Sequence, residues 1–138
     1  MTKAGESLLG TVEVVQAFYN AMERGDVEGM LAVVDSNAVL EEANSLPYAG
    51  VYRGHAAWRN LSAEFYATWQ DSVNTIDSIA DVGPYVVCLI RWRATSRHTG
   101  RTIEIPLAEF FWVVEGKITR LLPFYWDTAA VLRVVESE

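Results

Sequence analysis

The sequence predicts an α+β fold, with helices in the first half of the chain and an antiparallel sheet in the second. Apolar residues recur at helical spacing as far as residue 69, and from residue 71 onward they alternate at the two-residue period of a strand. Short glycine-containing turns separate the alternating segments, as in a meander of neighbouring strands. The sequence contains no internal repeat, linker or low-complexity segment, so residues 1–138 are predicted to form one domain.

Three helices are expected before the sheet begins. Their predicted bounds are Thr11 to Gly25, Asp26 to Val34 and His55 to Trp69. Thr11 and Asp26 are the expected N-caps, because a short polar side chain there accepts a hydrogen bond from the first helical turn. A short strand over residues 37–42 and a loop over residues 43–54 are predicted between the second and third helices. The third helix carries large aromatic residues on one face, so it requires a concave partner such as a curved sheet.

Four further strands and a terminal helix are predicted in the second half. The strands are expected over residues 73–82, 85–95, 102–113 and 117–125, and the helix over residues 128–135. Pro123 lacks a backbone N–H, so the last strand is expected to lie at an edge or to contain a bulge there. Asp127 precedes the terminal helix and is a suitable N-cap for it.

A single acidic residue interrupts the apolar face of the third of these strands. Every second residue from Ile103 to Val113 is apolar except Glu109. A carboxylate on such a face costs several kcal/mol unless it is paired, protonated or in a wet cavity. A second acidic pair, Glu41 and Glu42, ends another apolar run. These features predict a pocket rather than a solid core, although a structural pairing of Glu109 with Tyr19 or an arginine is an alternative.

Charge and hydropathy exclude several partners. The chain has 11 basic and 18 acidic residues and a net charge of −7, which disfavours nucleic acid and anionic membranes. Its first ten residues contain no signal-peptide-like apolar run, and no segment approaches the length of a membrane span. A cytoplasmic location is therefore expected.

The residue types also limit the chemistry. Cys88 is the only cysteine and lies in an apolar run, so it is expected to be a buried, unreactive thiol. His55 and His98 are expected at the surface, without the spacing of a metal site. The sequence has no dinucleotide fingerprint, phosphate loop, zinc motif or nucleophile elbow. We therefore expect no cofactor and no metal, and a mechanism limited to proton transfer.

Several segments together resemble a known family. They are Val14–Tyr19 followed by Gly25–Gly29, the turn Glu115–Ile118, and Tyr125–Asp127 before the last helix. Over about residues 11 to 135 the chain resembles the SnoaL-like branch of the nuclear transport factor 2-like (NTF2-like) superfamily, which includes polyketide cyclases, ketosteroid isomerases and limonene-type epoxide hydrolases. The resemblance implies a cone-shaped, curved antiparallel sheet wrapped round a pocket that three N-terminal helices close.

The same resemblance suggests catalytic residues. Glu42 matches the position of the catalytic base in ketosteroid isomerases. Counting from Gly100, Glu109 matches the protonated acid that donates to the oxyanion. Counting back from Gly116 gives Ala108 instead, and Glu109 is preferred because it lies on the apolar face. Phe18 stands where those enzymes have their oxyanion tyrosine, and Tyr19 beside it is expected to point elsewhere. Asp127 matches an acid/base aspartate near the final helix of SnoaL-type cyclases.

The resemblance also supplies an alternative. In epoxide hydrolases Asp127 would match the water-activating aspartate, and Asn44 the asparagine that holds the water. The arginine and second aspartate of those enzymes fall near Ile90 and Trp92, which cannot perform that acid chemistry.

The expected function is that of a cofactor-independent isomerase or cyclase acting on an apolar carbonyl compound such as a polyketide or steroid-like molecule. Glu42 would abstract a proton, Glu109 would donate to the oxyanion and Asp127 would orient or relay. An epoxide hydrolase or epoxide-opening cyclase is one alternative, and a non-catalytic binding or assembly domain is another. The expected substrate-binding residues are Phe18, Asn44, Tyr48, Trp58, Phe65, Trp69, Trp92 and Phe111. A homodimer through the outer face of the sheet is expected from the resemblance.

Overall fold

The computed structural model describes residues 9–136, which contain four helices and six strands. In chain order these are α1 (Thr11–Glu23), α2 (Val27–Leu31), β1 (Val34–Glu42), β2 (Gly50–Arg53), α3 (His55–Thr68), β3 (Trp69–Asp81), β4 (Val86–Ser96), β5 (Thr102–Val114), β6 (Lys117–Tyr125) and α4 (Thr128–Val135). The predicted α+β class is confirmed. The sheet is curved but not closed, and the N-terminal helices cover it.

The helix ends follow local capping, with one correction. The N-cap of α1 is Gly10 rather than Thr11, and the Gly10 N–H donates to Glu13 Oε1 over 2.8 Å. Asp26 caps α2 as expected, because its carboxylate accepts from the Gly29 N–H over 2.9 Å. The second helix stops at Leu31, three residues short of its predicted end, because the chain enters β1 there.

The strands are ordered β2-β1-β6-β5-β4-β3. Strands β3 to β6 form the predicted antiparallel meander. Strand β1, which begins three residues before its predicted start, joins it parallel to β6 and pairs antiparallel with β2 on its other side. Strand β2 was predicted as loop; it has only four residues, and pairing with β1 is what makes it extended.

The proline in β6 corrects a further expectation. Strand β6 lies between β1 and β5, so it is not an edge strand. Its bulge is at Thr119, because Trp112 pairs with Arg120 while Val113 pairs with Ile118. Pro123 lies two residues past the last pair with β1, where only β5 flanks the strand, and a proline is tolerated there.

The core lies between the concave face of the sheet and helices α1 to α3. The inward row of β5 alternates as predicted, with Ile103, Ile105, Leu107 and Phe111 all buried. Cys88, opposite Glu109 on β4, is fully buried, as expected. Among the described residues, no helix is both long enough and apolar enough to span a bilayer.

Candidate active site

A cavity of about 90 Å³ lies between α1, α2, α3 and the concave face of the sheet. It is lined by Phe18, Met22, Asp26, Val27, Met30, Leu40, Glu42, Trp58, Leu61, Ser62, Phe65, Tyr66, Asn74, Trp92, Leu107, Glu109, Leu121, Pro123 and Tyr125. Most of these side chains are apolar or aromatic, and no lysine, arginine or histidine is among them. The cavity is therefore an apolar pocket whose acidic groups have no lining cation beside them.

Glu109 reaches this cavity from the middle of β5. It occupies the inward row between Leu107 and Phe111, so the alternation of the strand aims its carboxyl group at the pocket. The Tyr19 hydroxyl of α1 donates to Glu109 Oε1 over 2.5 Å. Burial raises the pKa of Glu109 to about 7, while the hydrogen bond from Tyr19 acts in the opposite direction by favouring the carboxylate.

Glu42 reaches the same cavity from the last position of β1. Its residue is only 6% exposed, and no described residue bonds its buried Oε1. Burial, and then the charge of Glu109, raise the pKa of Glu42 to about 8. Two carboxyl groups that affect each other in an apolar cavity resist being ionised together, so the pair holds a proton near neutral pH.

A hydrogen-bonded chain of three side chains, Tyr125, Tyr48 and Trp69, leads away from the cavity wall. Tyr125 lines the cavity, and its hydroxyl lies 3.2 Å from the hydroxyl of Tyr48. Behind them the Trp69 indole N–H donates to the Tyr48 oxygen over 3.1 Å. Burial and the charge of Glu42 raise the pKa of Tyr125 well above its ordinary value, so its hydroxyl keeps its proton.

The predicted pocket wall divides into two groups. Phe18, Trp58, Phe65 and Trp92 line the cavity. Tyr48, Trp69 and Phe111 are fully buried behind it instead. Asn44 is exposed in the loop between β1 and β2 and does not line the cavity.

Asp127 does not converge with the two glutamates. Its carboxylate caps α4 by accepting from the Ala130 N–H over 3.0 Å, and it lies 3.8 Å from the Arg133 guanidinium. The side chain is 41% exposed and is not part of the cavity wall. Its role as an N-cap is confirmed, and it does not share the cavity wall with Glu42 and Glu109.

The remaining reactive residues are also accounted for. His55 is half-buried and its Nε2 lies 2.7 Å from the Val34 carbonyl, whereas His98 is exposed. Burial raises the pKa of the Cys88 thiol to about 12, which keeps it protonated. Within residues 9–136, no three His, Cys, Asp or Glu side chains are grouped closely enough to hold a metal ion.

Two tyrosines belong to the site although neither was among the predicted site residues. Tyr19 was expected either to point elsewhere or to pair with Glu109, and the structure has the pairing. The contact forms because α1 buries both Phe18 and Tyr19, whose rings both pack on Phe111. Tyr125 was noted only as part of a motif. Its pairing with Leu107 across β5 and β6 places it on the inward face.

Comparison with known proteins gives the family. No curated protein sequence matches the chain. An NTF2-like protein from Burkholderia thailandensis E264 is 27% identical, with a TM-score of 0.86 over 94% of this chain and 100% of that one. A protein with a ketosteroid isomerase-like fold from Catenulispora acidiphila, in complex with trimethylamine, is 15% identical, with a TM-score of 0.78 over 91% and 94% of the two chains. A candidate SnoaL-like polyketide cyclase from Jannaschia sp. CCS1 is 13% identical, with a TM-score of 0.81 over 93% and 92%.

The sequence profile of the SnoaL-like domain matches residues 15–121, which include most of α1, all of α2 and α3, the first five strands and both glutamates of the cavity. The architecture agrees with this match, since the curved sheet and its covering helices have the NTF2-like fold of the structures compared above. The chain therefore belongs to the SnoaL-like domain family.

Proposed function

We propose that this protein is a cofactor-independent acid/base enzyme, an isomerase or cyclase of a small apolar carbonyl compound of the polyketide or steroid-like kind. The observation that carries the proposal is the pair Glu42 and Glu109, two carboxyl groups on one apolar cavity without a lining cation. Their pKa values, raised to about 8 and about 7, lie near the pH at which general acid/base catalysis is most efficient.

The surroundings of the two glutamates favour the opposite roles from those that the resemblance suggests. Glu109 accepts a hydrogen bond from Tyr19, which stabilises its ionised form, while Glu42 has no donor at its buried Oε1. We therefore assign Glu109 as the base and Glu42 as the neutral acid that donates to the substrate oxygen.

The reaction follows from this assignment. The Glu109 carboxylate takes a proton from the carbon next to the substrate carbonyl, and the C–H electron pair forms the C=C bond of an enolate. The negative charge moves to the carbonyl oxygen, which accepts a hydrogen bond from the Glu42 carboxyl group. In an isomerase, Glu109 returns the proton to another carbon. In a cyclase, the enolate carbon attacks a second carbonyl of the same molecule, and the resulting alkoxide takes the proton.

The test uses a single-ring ketone, 3-cyclohexen-1-one, in D₂O. We expect the protein to accelerate conversion to the conjugated ketone and deuterium exchange, both followed by NMR. Glu109→Gln should remove the base and lower the rate by about 10²–10⁴-fold. Glu42→Gln keeps an N–H donor and should lower it less. Glu41→Gln, the exposed neighbour on the other face of β1, is the matched control. Full activity of Glu109→Gln would refute the proposal.

The alternatives have less support. Epoxide opening was expected to use Asp127 or Glu42 as the base and Glu109 as the acid, with Asn44 holding the water. Neither Asp127 nor Asn44 lines the cavity. The raised pKa values of the two glutamates show that burying them costs folding stability. In a protein that only binds a ligand, this cost would have no catalytic benefit. Absence of turnover together with tight binding of small ketones would favour the binding function.

We also propose that the protein is a homodimer through the outer face of the sheet. Tyr85 contacts both Phe110 and Trp112, Phe110 contacts Phe124, and Phe124 is 54% exposed. An exposed aromatic cluster of this kind is typical of an interface. A second copy would cover it symmetrically.

A further inference from the structure

The direction of the hydrogen bonds behind the cavity can be worked out from donor chemistry. An indole N–H donates and cannot accept, so the Tyr48 oxygen must accept from Trp69. Tyr48 is only 2% exposed, and the only described acceptor near its own proton is the hydroxyl of Tyr125. The reverse direction would bury the Tyr48 proton without an acceptor, at a cost of roughly 1–3 kcal/mol. Tyr48 therefore donates to Tyr125.

This direction leaves the proton of Tyr125 available. Its oxygen accepts from Tyr48, and among the described residues that hydroxyl has no hydrogen bond other than the one to Tyr48. Tyr125 lines the same cavity as Glu42 and Glu109. Its O–H can therefore donate to a ligand bound in that cavity. Trp69 and Tyr48 stay outside the cavity and are fully buried, so they fix the hydroxyl without touching a ligand.

The packing holds Tyr125 in one orientation. Its ring meets the ring of Trp92 edge to face, with centroids 5.7 Å apart. Trp92 is in turn held by an edge-to-face contact with Trp69 at 4.9 Å and by a hydrogen bond from its indole N–H to Ser72 at 2.9 Å. A donor whose position is fixed in advance stabilises a developing charge without reorganising during the reaction.

We propose that Tyr125 is a second oxyanion donor of this cavity, positioned by Tyr48 and Trp69, and that the cavity takes ligands presenting an enolate or phenolate oxygen. This inference rests on the proposed function, because it assigns the substrate oxygen to two donors, Tyr125 and the neutral Glu42. Tyr125 is then a catalytic residue, and Tyr48 and Trp69 are positioning residues.

The test uses binding of 4-nitrophenol at pH 6, which requires no turnover. Its phenolate absorbs visible light and its phenol form does not, so one titration gives both the affinity and the ionised fraction of the bound probe. We expect the wild type to bind it with an increased phenolate fraction. Tyr125→Phe should weaken binding by about 10-fold or more and lower that fraction, because a donor to a charged oxygen is lost.

A second variant and a control distinguish an effect of the relay, meaning the hydrogen-bonded chain Trp69–Tyr48–Tyr125, from a general loss of folding. Tyr48→Phe removes the donor to Tyr125 without touching the probe and should weaken binding by a smaller factor, about 3–10-fold. Tyr52→Phe is the control, because the Tyr52 hydroxyl bonds the Tyr48 carbonyl at 2.8 Å and is outside both the relay and the cavity wall. We expect this variant to bind like the wild type.

Two outcomes would overturn the inference. One is a wild type that does not favour the phenolate. The other is Tyr125→Phe, or Tyr48→Phe if the former does not fold, binding the probe with the affinity and spectrum of the wild type. Failure of the proposed function is seen separately, since a protein inactive on 3-cyclohexen-1-one can still show the Tyr125-dependent shift of the probe.

Discussion

Replacing Glu42 with glutamine should make the protein more stable at alkaline pH than the wild type. The pKa of Glu42 is about 8 in the folded chain, above the ordinary 4.5 that it regains on unfolding. The folded state therefore holds this proton longer than the unfolded state. The contribution of this proton to the free energy of unfolding is fully present below pH 4.5 and is lost as the pH rises to about 8.

The size of the effect follows from the same two values. The interval from 4.5 to about 8 corresponds to roughly 5 kcal/mol, at about 1.4 kcal/mol for each pH unit. Part of this comes from the charge of Glu109, so we expect a net effect of about 2–5 kcal/mol. Glutamine cannot ionise, and its variant should not lose this contribution.

Urea unfolding at pH 5, 7 and 9 measures the effect. The difference in unfolding free energy between the variant and the wild type includes any constant cost of the amide, but the change of that difference with pH does not. The difference should grow in favour of Glu42→Gln as the pH rises. Glu41→Gln removes an equal charge from an exposed neighbour and should follow the wild type throughout. Unfolding free energies of the wild type and Glu42→Gln that change in parallel with pH would show that Glu42 is not a desolvated acid.

Three other substitutions test neighbouring parts of the structure. Tyr19→Phe removes the hydrogen bond that favours ionised Glu109, so the apparent pKa of the base in a pH–rate profile should move upward; an unchanged profile would contradict the assignment. Asp127→Ala should cost about 1 kcal/mol of stability by removing the α4 cap while leaving the rate on 3-cyclohexen-1-one unchanged. Phe124→Glu places a charge in the exposed aromatic cluster and should convert a dimer to a monomer in light scattering; a persistent dimer would exclude that face.

The sequence predicted best those features that depend on a single strand or a single helix end. The alternation of β5 is unbroken from Ile103 to Val113, so the inward orientation of Glu109 could be predicted from spacing alone. The capping side chain of Asp127 was equally local. Its expected catalytic role was not, because that depended on where α4 lies relative to the cavity.

Features that depend on the packing of separate elements were not predictable. Counting by two from the buried Ile118 would place Tyr125 on the outer face of β6, and only the bulge at Thr119 turns it inward. Strand β2 has too few residues to show a period, and its partner is known only from the fold. For Tyr19 the sequence left two alternatives, pointing elsewhere or pairing with Glu109, because a helix buried over a wide arc can place adjacent residues against the same core.

Because the cavity wall contains no cation, ligand binding should be coupled to the uptake or release of protons. Below about pH 7 both glutamates are neutral donors, and above about pH 8 both carry charge. An anionic ligand should therefore take up protons from the buffer as it binds, and a cationic ligand should release them. The enthalpy of binding in a calorimeter should then depend on the ionisation enthalpy of the buffer, with opposite signs for the two kinds of ligand. The slope of that dependence would count the protons directly.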